Sequence, residues 1–348
     1  MTKTVQIGNL LLGGGNPVLV QSMTNTDTRD VPATLAQIRA LAAAGCDLVR
    51  VSVYDEACAK AVRPLTEGSP VPLVADIHFD YRLAIAAMEN GIAKLRINPG
   101  NIGGPDRVRA VADCARAHHV PIRIGVNSGS VEKPLLEKYG GPTAECLVES
   151  ALGHARLLEK AGYEEIVLSM KSSSVRLTVD AYRLAHERCA YPLHVGVTEA
   201  GLPGQGTVKS AIGIGSLLLD GIGDTIRVSL SGDPLPEAKA GWDILRALDL
   251  RRRGPQLIAC PTCGRTGIPV ADIAARVEAE LSDITVPLKV AVMGCVVNGL
   301  GEGREADVGI AGGGNGSGVL FVRGQEPERV EGDLADILIR KVREMTRT

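Results

Sequence analysis

The sequence predicts an α/β protein: an N-terminal TIM (β/α)8 barrel followed by a smaller C-terminal α+β domain. Three observations carry this. Before residue 233, a short β-branched run, a small polar residue and a longer Ala/Leu-rich segment of helical spacing recur eight times. Eight such units in about 240 residues is the size of a TIM barrel. Apolar residues make up 45% of the chain yet include one Trp, six Tyr and two Phe, so the core must be built from Ala, Val, Ile and Leu. That composition suits strands buried on both faces beneath helices. At 348 residues the chain exceeds the size at which one core stops growing, and its pattern changes beyond a basic joint, Arg251-Arg252-Arg253-Gly254-Pro255.

Strands are expected at residues 18–21, 48–53, 73–77, 95–97, 122–126, 166–170, 193–197 and 225–230. Between them, residues 32–44, 81–90, 106–118, 143–161, 175–188 and 208–219 carry helical periodicity. Strand starts fall mostly 22 to 32 residues apart, with one wider gap around 132–141. A doubly wound open sheet is the alternative topology. A helix around 242–250 closes the first domain, placed at 1–250. The second, placed at 256–348, is expected to hold a helix at 270–281, a strand at 288–292 running into Cys295, a Gly-rich stretch, a strand at 319–322 and a helix at 333–345.

The net charge of −2, with no basic run longer than three arginines, gives no bulk signal for nucleic acid. No stretch approaches the roughly 20 apolar residues of a membrane span, so the expected location is cytoplasmic. Cys46, Cys58, Cys114, Cys146 and Cys189 sit singly in apolar or helical surroundings and read as reduced packing residues.

In a TIM barrel the site lies at the C-terminal ends of the strands. Here those ends read Val49-Arg50-Val51-Ser52, Leu95-Arg96-Ile97-Asn98, Ile122-Arg123-Ile124-Gly125-Val126-Asn127 and Ile226-Arg227-Val228-Ser229. Period two puts each arginine and its small polar companion on one side of the strand. An arginine emerging from apolar strand needs a partner, and Lys171 adds a fifth cation against the acids Asp76, Glu199 and Asp233. The planar fork of arginine matches phosphate oxygens, so the set points to a phosphate ligand, diphosphate in preference to a simple carboxylate. Internal pairing with the acids is the alternative for any one arginine. His78 and Glu199 follow strands three and seven, where a proton donor or acceptor could face the ligand. His118, His119, His154, His186 and His194 read as structural.

The second domain offers Cys260-Pro261-Thr262-Cys263, then 31 residues, then Cys295, then six residues and Glu302. Three thiolates are one short of the usual four. No histidine follows His194, which weakens a Cys/His zinc site without removing it. A cuboidal iron-sulfur cluster held by three cysteines leaves one iron open to a weaker ligand.

These residues carry a family resemblance. Val20-Gln21-Ser22-Met23-Thr24-Asn25-Thr26, Ala75-Asp76-Ile77-His78-Phe79, Leu95-Arg96-Ile97-Asn98-Pro99-Gly100-Asn101, Gly125-Val126-Asn127-Ser128-Gly129-Ser130, Cys260-Pro261-Thr262-Cys263-Gly264-Arg265 and Gly294-Cys295-Val296-Val297-Asn298-Gly299 with Gly301-Glu302 resemble the bacterial 4-hydroxy-3-methylbut-2-en-1-yl diphosphate synthase family across both domains. The resemblance implies a C-terminal iron-sulfur domain with a 4Fe-4S cluster on Cys260, Cys263, Cys295 and Glu302. It implies a diphosphate-binding set of Arg50, Arg96, Arg123, Asn127, Lys171, Arg227 and Ser229, with His78, Glu199 and Glu302 at the reaction. It also implies reduction of 2-C-methyl-D-erythritol 2,4-cyclodiphosphate with electrons from a ferredoxin or flavodoxin, and a homodimer whose site is shared between subunits. Two rivals remain open: a barrel enzyme of diphosphate transfer with a structural zinc, and a non-catalytic iron-sulfur sensor.

Overall fold

The structure is a computed structural model describing residues 1–347 except Pro99, Glu302, Gly303, Arg304 and Asn315, with Asn298, Gly299 and Leu300 described by their backbone alone. The chain divides into two compact units, Met1–Arg251 and Arg252–Thr348.

The first unit opens with an antiparallel hairpin, β1 (Val5–Ile7) and β2 (Leu10–Leu12). Eight strands follow: β3 (Leu19–Met23), β4 (Leu48–Ser52), β5 (Leu73–Asp76), β6 (Lys94–Ile97), β7 (Ile122–Asn127), β8 (Ile166–Lys171), β9 (His194–Val195) and β10 (Thr225–Ile226). Around them lie α1 (Val31–Ala43), α2 (Glu56–Gly68), α3 (Tyr81–Glu89), α4 (Pro105–His118), α5 (Lys133–Tyr139), α6 (Ala144–Lys160), α7 (Val175–Arg188), α8 (Gln205–Leu219) and α9 (Leu235–Ala247). The ladders are parallel in the order β8-β7-β6-β5-β4-β3-β10-β9, and a parallel bridge from Leu168 to Leu193 joins the two ends into a barrel. This is the TIM barrel expected, not the open sheet.

Local chemistry starts the helices. The side chains of Asp30, Asp55, Asp80, Thr143 and Ser174 accept from backbone N–H groups in the first turns of α1, α2, α3, α6 and α7. Between strands and helices, side chains such as Val49, Val51, Leu95, Ile97, Ile122, Ile124, Ile38, Leu65 and Leu158 form one continuous buried core. The hairpin has its own role: Val5, Ile7 and Leu12 pack with Leu19, Leu48, Val74 and Val167, which lie in the first halves of their strands, and so plug the N-terminal end. A functional opening is thereby left to the other end.

Several expectations are corrected. The hairpin was not foreseen, because its strands are three residues each. The helix expected at 242–250 is α9 and starts at Leu235. Helix α2 contains Pro64, which disguises its pattern, and α5 occupies the wide gap. The last two barrel strands are shorter than the apolar runs: beyond Ile226, the Leu230 N–H goes to Glu237 Oε1 at 3.0 Å instead of to a neighbouring strand.

The second unit is a five-stranded sheet, β11 (Pro255–Ala259), β12 (Leu288–Met293), β13 (Val308–Gly314), β14 (Ser317–Val322) and β15 (Glu328–Glu331), in that spatial order. The first three are parallel and the last three antiparallel. Helices α10 (Val270–Glu280) and α12 (Leu334–Thr346) cover one face through Ile273, Val277, Leu338 and Val342 against Val290, Val292, Val308 and Ile310. Helix α11 (Val296–Gly301) follows Cys295. The joint foreseen at Pro255 is the first residue of β11. Gly312-Gly313-Gly314 lies in β13; a Cβ on Gly312 would come within 2.5 Å of the Gly294 carbonyl, so the strand passes there only as glycine.

Candidate functional site

The parallel ladder sets the polar side chains of the barrel side by side. Asp76 on β5 is the register partner of Arg96 on β6, which partners Arg123 on β7. Their exposures are 5%, 8% and 2%, and Arg50 is 9% exposed. Asp76 is the shared counter-charge: Oδ1 lies 2.9 Å from Arg96 Nη1, and Oδ2 lies 3.5 Å from Arg50 Nε and 3.8 Å from His78 Nε2. Burial raises the Asp76 carboxyl, but the charges of Arg50, Arg96, His78 and Arg123 outweigh it and hold the group well below the ordinary carboxylate value. Burial is also the main reason the Arg50 guanidinium is brought down to about 10.

Arg123 donates through Nη1 to Ser169 Oγ at 2.6 Å, while its Nε and Nη2 have no partner among the described residues. Lys171, at the end of β8, is 7% exposed and its ammonium is disfavoured first by burial and then by Arg123, Arg227 and Arg50. Arg227 is held by a second carboxylate, Glu237 of α9, at 3.3 Å. Five cations thus face two buried carboxylates, Asp76 and Glu237. The excess positive charge is buried, where an anion is attracted far more strongly than in water.

The neighbours fit the cations. A Cβ on Gly125 would strike Arg96 Nε at 2.4 Å, and Arg96 Nη2 donates to the Gly125 carbonyl at 3.1 Å. Glycine in mid-strand is what lets the guanidinium lie across β7. Asn127, at the end of β7, and Ser229, three residues beyond β10, are half-buried. His78 is exposed, both ring nitrogens 3.4 Å from Arg96 Nη1. Glu199 is exposed on backbone with φ 51°, a left-handed conformation unusual for this residue, and has no hydrogen-bond or ion-pair partner among the described residues. Of the acids expected at the mouth, Asp76 faces the arginines, whereas exposed Asp233 accepts from the Leu235 N–H at 3.0 Å.

Two features escaped sequence reasoning, and a third, His194, was read only as structural. Glu237 reads as an ordinary first-turn helix acid. Lys94 is fully buried, and its ammonium, disfavoured first by burial and then by Arg123 and Arg50, finds no hydrogen-bond partner among the described residues. His194, equally buried, has neither ring nitrogen partnered there. Lys94 lies two residues before Arg96, so the same period-two rule that selected the arginines points to it.

In the second unit, Cys260 follows β11 and Cys295 follows β12, the neighbouring parallel strand, so both leave the sheet at one end. Cys260 N–H donates to the Val292 carbonyl at 3.2 Å, and Gly294 N–H donates to Cys260 Sγ at 3.0 Å. Cys263 is exposed in a turn where its N–H bonds Thr266 Oγ1 at 2.9 Å and its carbonyl accepts from the Thr266 N–H at 3.0 Å. None of the three is in a disulfide. Among the described residues no three His, Cys, Asp or Glu side chains are gathered closely enough to hold a metal ion, and Glu302 lies outside them. The donor set nevertheless fits an iron-sulfur group: soft thiols, an amide N–H on one sulfur and no histidine in the unit.

Comparison with known proteins decides the family. The profile of the GcpE TIM-barrel domain matches residues 2–242, and that of the GcpE protein C-terminal domain matches 256–344. The chain belongs to the GcpE family. It is 57% identical over 342 residues to the 4-hydroxy-3-methylbut-2-en-1-yl diphosphate synthase (flavodoxin) of Geobacter sulfurreducens, covering 98% of this chain and 97% of that one. It is 55% identical over 348 residues to the protein of the same name from Caldanaerobacter subterraneus subsp. tengcongensis, covering 100% and 98%. Among solved structures, 3-dehydroquinate dehydratase from Geobacillus kaustophilus aligns with a TM-score of 0.51 at 16% identity, over 71% of this chain and 99% of that one. Dihydropteroate synthase from Vibrio fischeri aligns with a TM-score of 0.50 at 12% identity, over 71% and 98%. At such identities these two likenesses concern the fold alone.

Proposed function

We propose that this GcpE-family chain is a 4-hydroxy-3-methylbut-2-en-1-yl diphosphate synthase, an oxidoreductase that converts 2-C-methyl-D-erythritol 2,4-cyclodiphosphate to 4-hydroxy-3-methylbut-2-enyl diphosphate and water in isoprenoid precursor synthesis. The observation that carries the reading is the buried cationic mouth of the barrel, in a chain more than half identical over its length to relatives bearing that name.

Arg50, Arg96, Arg123, Lys171 and Arg227 bind the diphosphate oxygens, with Asn127 and Ser229 donating beside them. Held by fixed, desolvated cations, the substrate presents its carbon skeleton to the groups at the rim. Glu199, exposed and without a partner among the described residues, delivers the proton as water leaves; His78, against Asp76 and Arg96, orients the opened chain. Cys260, Cys263, Cys295 and Glu302 would hold a 4Fe-4S cluster, which when bound would pass the two electrons of the reduction, one at a time, from an external donor. The printed names of the relatives support flavodoxin as donor, with ferredoxin the alternative. The family resemblance supports a homodimer sharing its site between subunits. A cytoplasmic setting accords with the lack, among the described residues, of any helix long and apolar enough to cross a membrane.

Anaerobic turnover by the reconstituted full chain, with product followed by mass spectrometry beside the visible spectrum, tests the reading. A brown protein that forms the allylic diphosphate upholds it. A brown, inert protein turns the assignment to a sensor; a colourless one with bound zinc turns it to a diphosphate-transfer enzyme.

A further inference from the structure

Glu237 is 3% exposed, and its two carboxylate oxygens take four donors. Oε2 accepts from Ser22 Oγ at 2.7 Å and Arg227 Nε at 3.3 Å; Oε1 accepts from Leu230 N at 3.0 Å and Arg227 Nη2 at 3.3 Å. The carboxylate therefore grips one edge of the guanidinium while tied to β3 through Ser22 and to the segment after β10 through Leu230. Among the described residues Arg227 Nη1 has only the Met23 thioether, a weak acceptor 3.8 Å away.

We propose that Glu237 is a positioning residue of the diphosphate site: it fixes Arg227 by its Nε–Nη2 edge and leaves Nη1 to an anionic oxygen of the substrate. The inference rests on the reading of the barrel mouth as a diphosphate site. Its sign separates it from simple electrostatics. Removing a negative charge beside a cationic site should tighten anion binding by Coulomb's law. If orientation dominates, the same change must weaken it, because one amide oxygen cannot satisfy four donors and the amide NH2 group opposes the guanidinium.

The test is calorimetric titration of inorganic diphosphate and of the cyclodiphosphate into the full chain as wild type, Glu237→Gln and Ser22→Ala, with KM and kcat of the reconstituted enzymes and a melting curve for each. Glu237→Gln is expected to bind both ligands roughly ten-fold more weakly, the worth of one charge-assisted hydrogen bond. Its KM should rise in proportion with kcat nearly unchanged. Ser22→Ala, which keeps the charge but frees one side of the carboxylate, should give a smaller shift in the same direction. A folded Glu237→Gln chain that binds diphosphate as tightly as wild type, or tighter, overturns the inference. If that variant does not fold, an unchanged KM in Ser22→Ala overturns it. A wild type that binds neither ligand overturns the reading of the site itself, and the inference with it.

Discussion

Arg96 and Asp76 are register partners on adjacent parallel strands, and their side chains meet at 2.9 Å in a space where Arg50 and His78 also reach the same carboxylate. One buried anion thus bridges two of the arginines of the barrel mouth, Arg50 and Arg96.

Asp76→Asn should destabilise the first unit by about 3 kcal/mol, since it leaves buried guanidinium groups without their counter-charge. Because the folded carboxyl titrates below its unfolded value, Asp76 contributes stability that is complete above about pH 4 and is lost as pH falls through the folded pKa. Urea midpoints of wild type and variant should therefore converge on acidification from pH 5 toward pH 2. A gap independent of pH would contradict the pairing.

Lys94→Met should stabilise the first unit at pH 7 by an amount on the order of 1–3 kcal/mol, read as a higher urea midpoint, because a buried amine whose charged form is disfavoured is replaced by an apolar chain of similar volume. Burial depresses the folded amine, so the unfolded chain binds more protons up to about pH 10.4 and wild-type stability must rise with pH over that interval. The advantage of the variant should shrink correspondingly in alkali.

Glu199→Gln should lower kcat at least about 100-fold with little change in KM, as expected when a proton donor that does not carry binding energy is lost. Steady-state kinetics on the reconstituted enzyme decide this; a change confined to KM would move Glu199 from proton transfer to binding.

Cys260→Ser should abolish retention of iron and sulfide, whereas Glu302→Ala should keep a cluster with little activity. Iron and sulfide analysis beside turnover reads both, and equal, intact activity in the two variants would sink the ligand assignment.

Much of the barrel was legible because parallel strands buried on both faces read as continuous apolar runs, and an Arg within such a run is conspicuous at period two. Arg50, Arg96, Arg123 and Arg227 stand out for that reason, and Lys171 as the cation that directly follows such a run. Glu237 does not, since its role comes from a fold that brings the first turn of α9 to Ser22, 215 residues earlier. The N-terminal plug was hidden because three-residue strands leave no periodicity to detect, whereas the last two barrel strands were foreseen but drawn too long, since the apolar runs continue past the paired residues. In the second unit the cysteine spacing was visible, while β13 was disguised by glycines that a close backbone contact requires.

The claim at the centre of the account is that the buried cations of the barrel bind a diphosphate, and the most direct measurement is calorimetric titration of the cyclodiphosphate into wild type and into Arg123→Met across a range of salt. Saturable binding that weakens as salt rises, and that falls at least roughly ten-fold in the variant, is the predicted result. Equal affinity in the two proteins, or no binding in either, would contradict it.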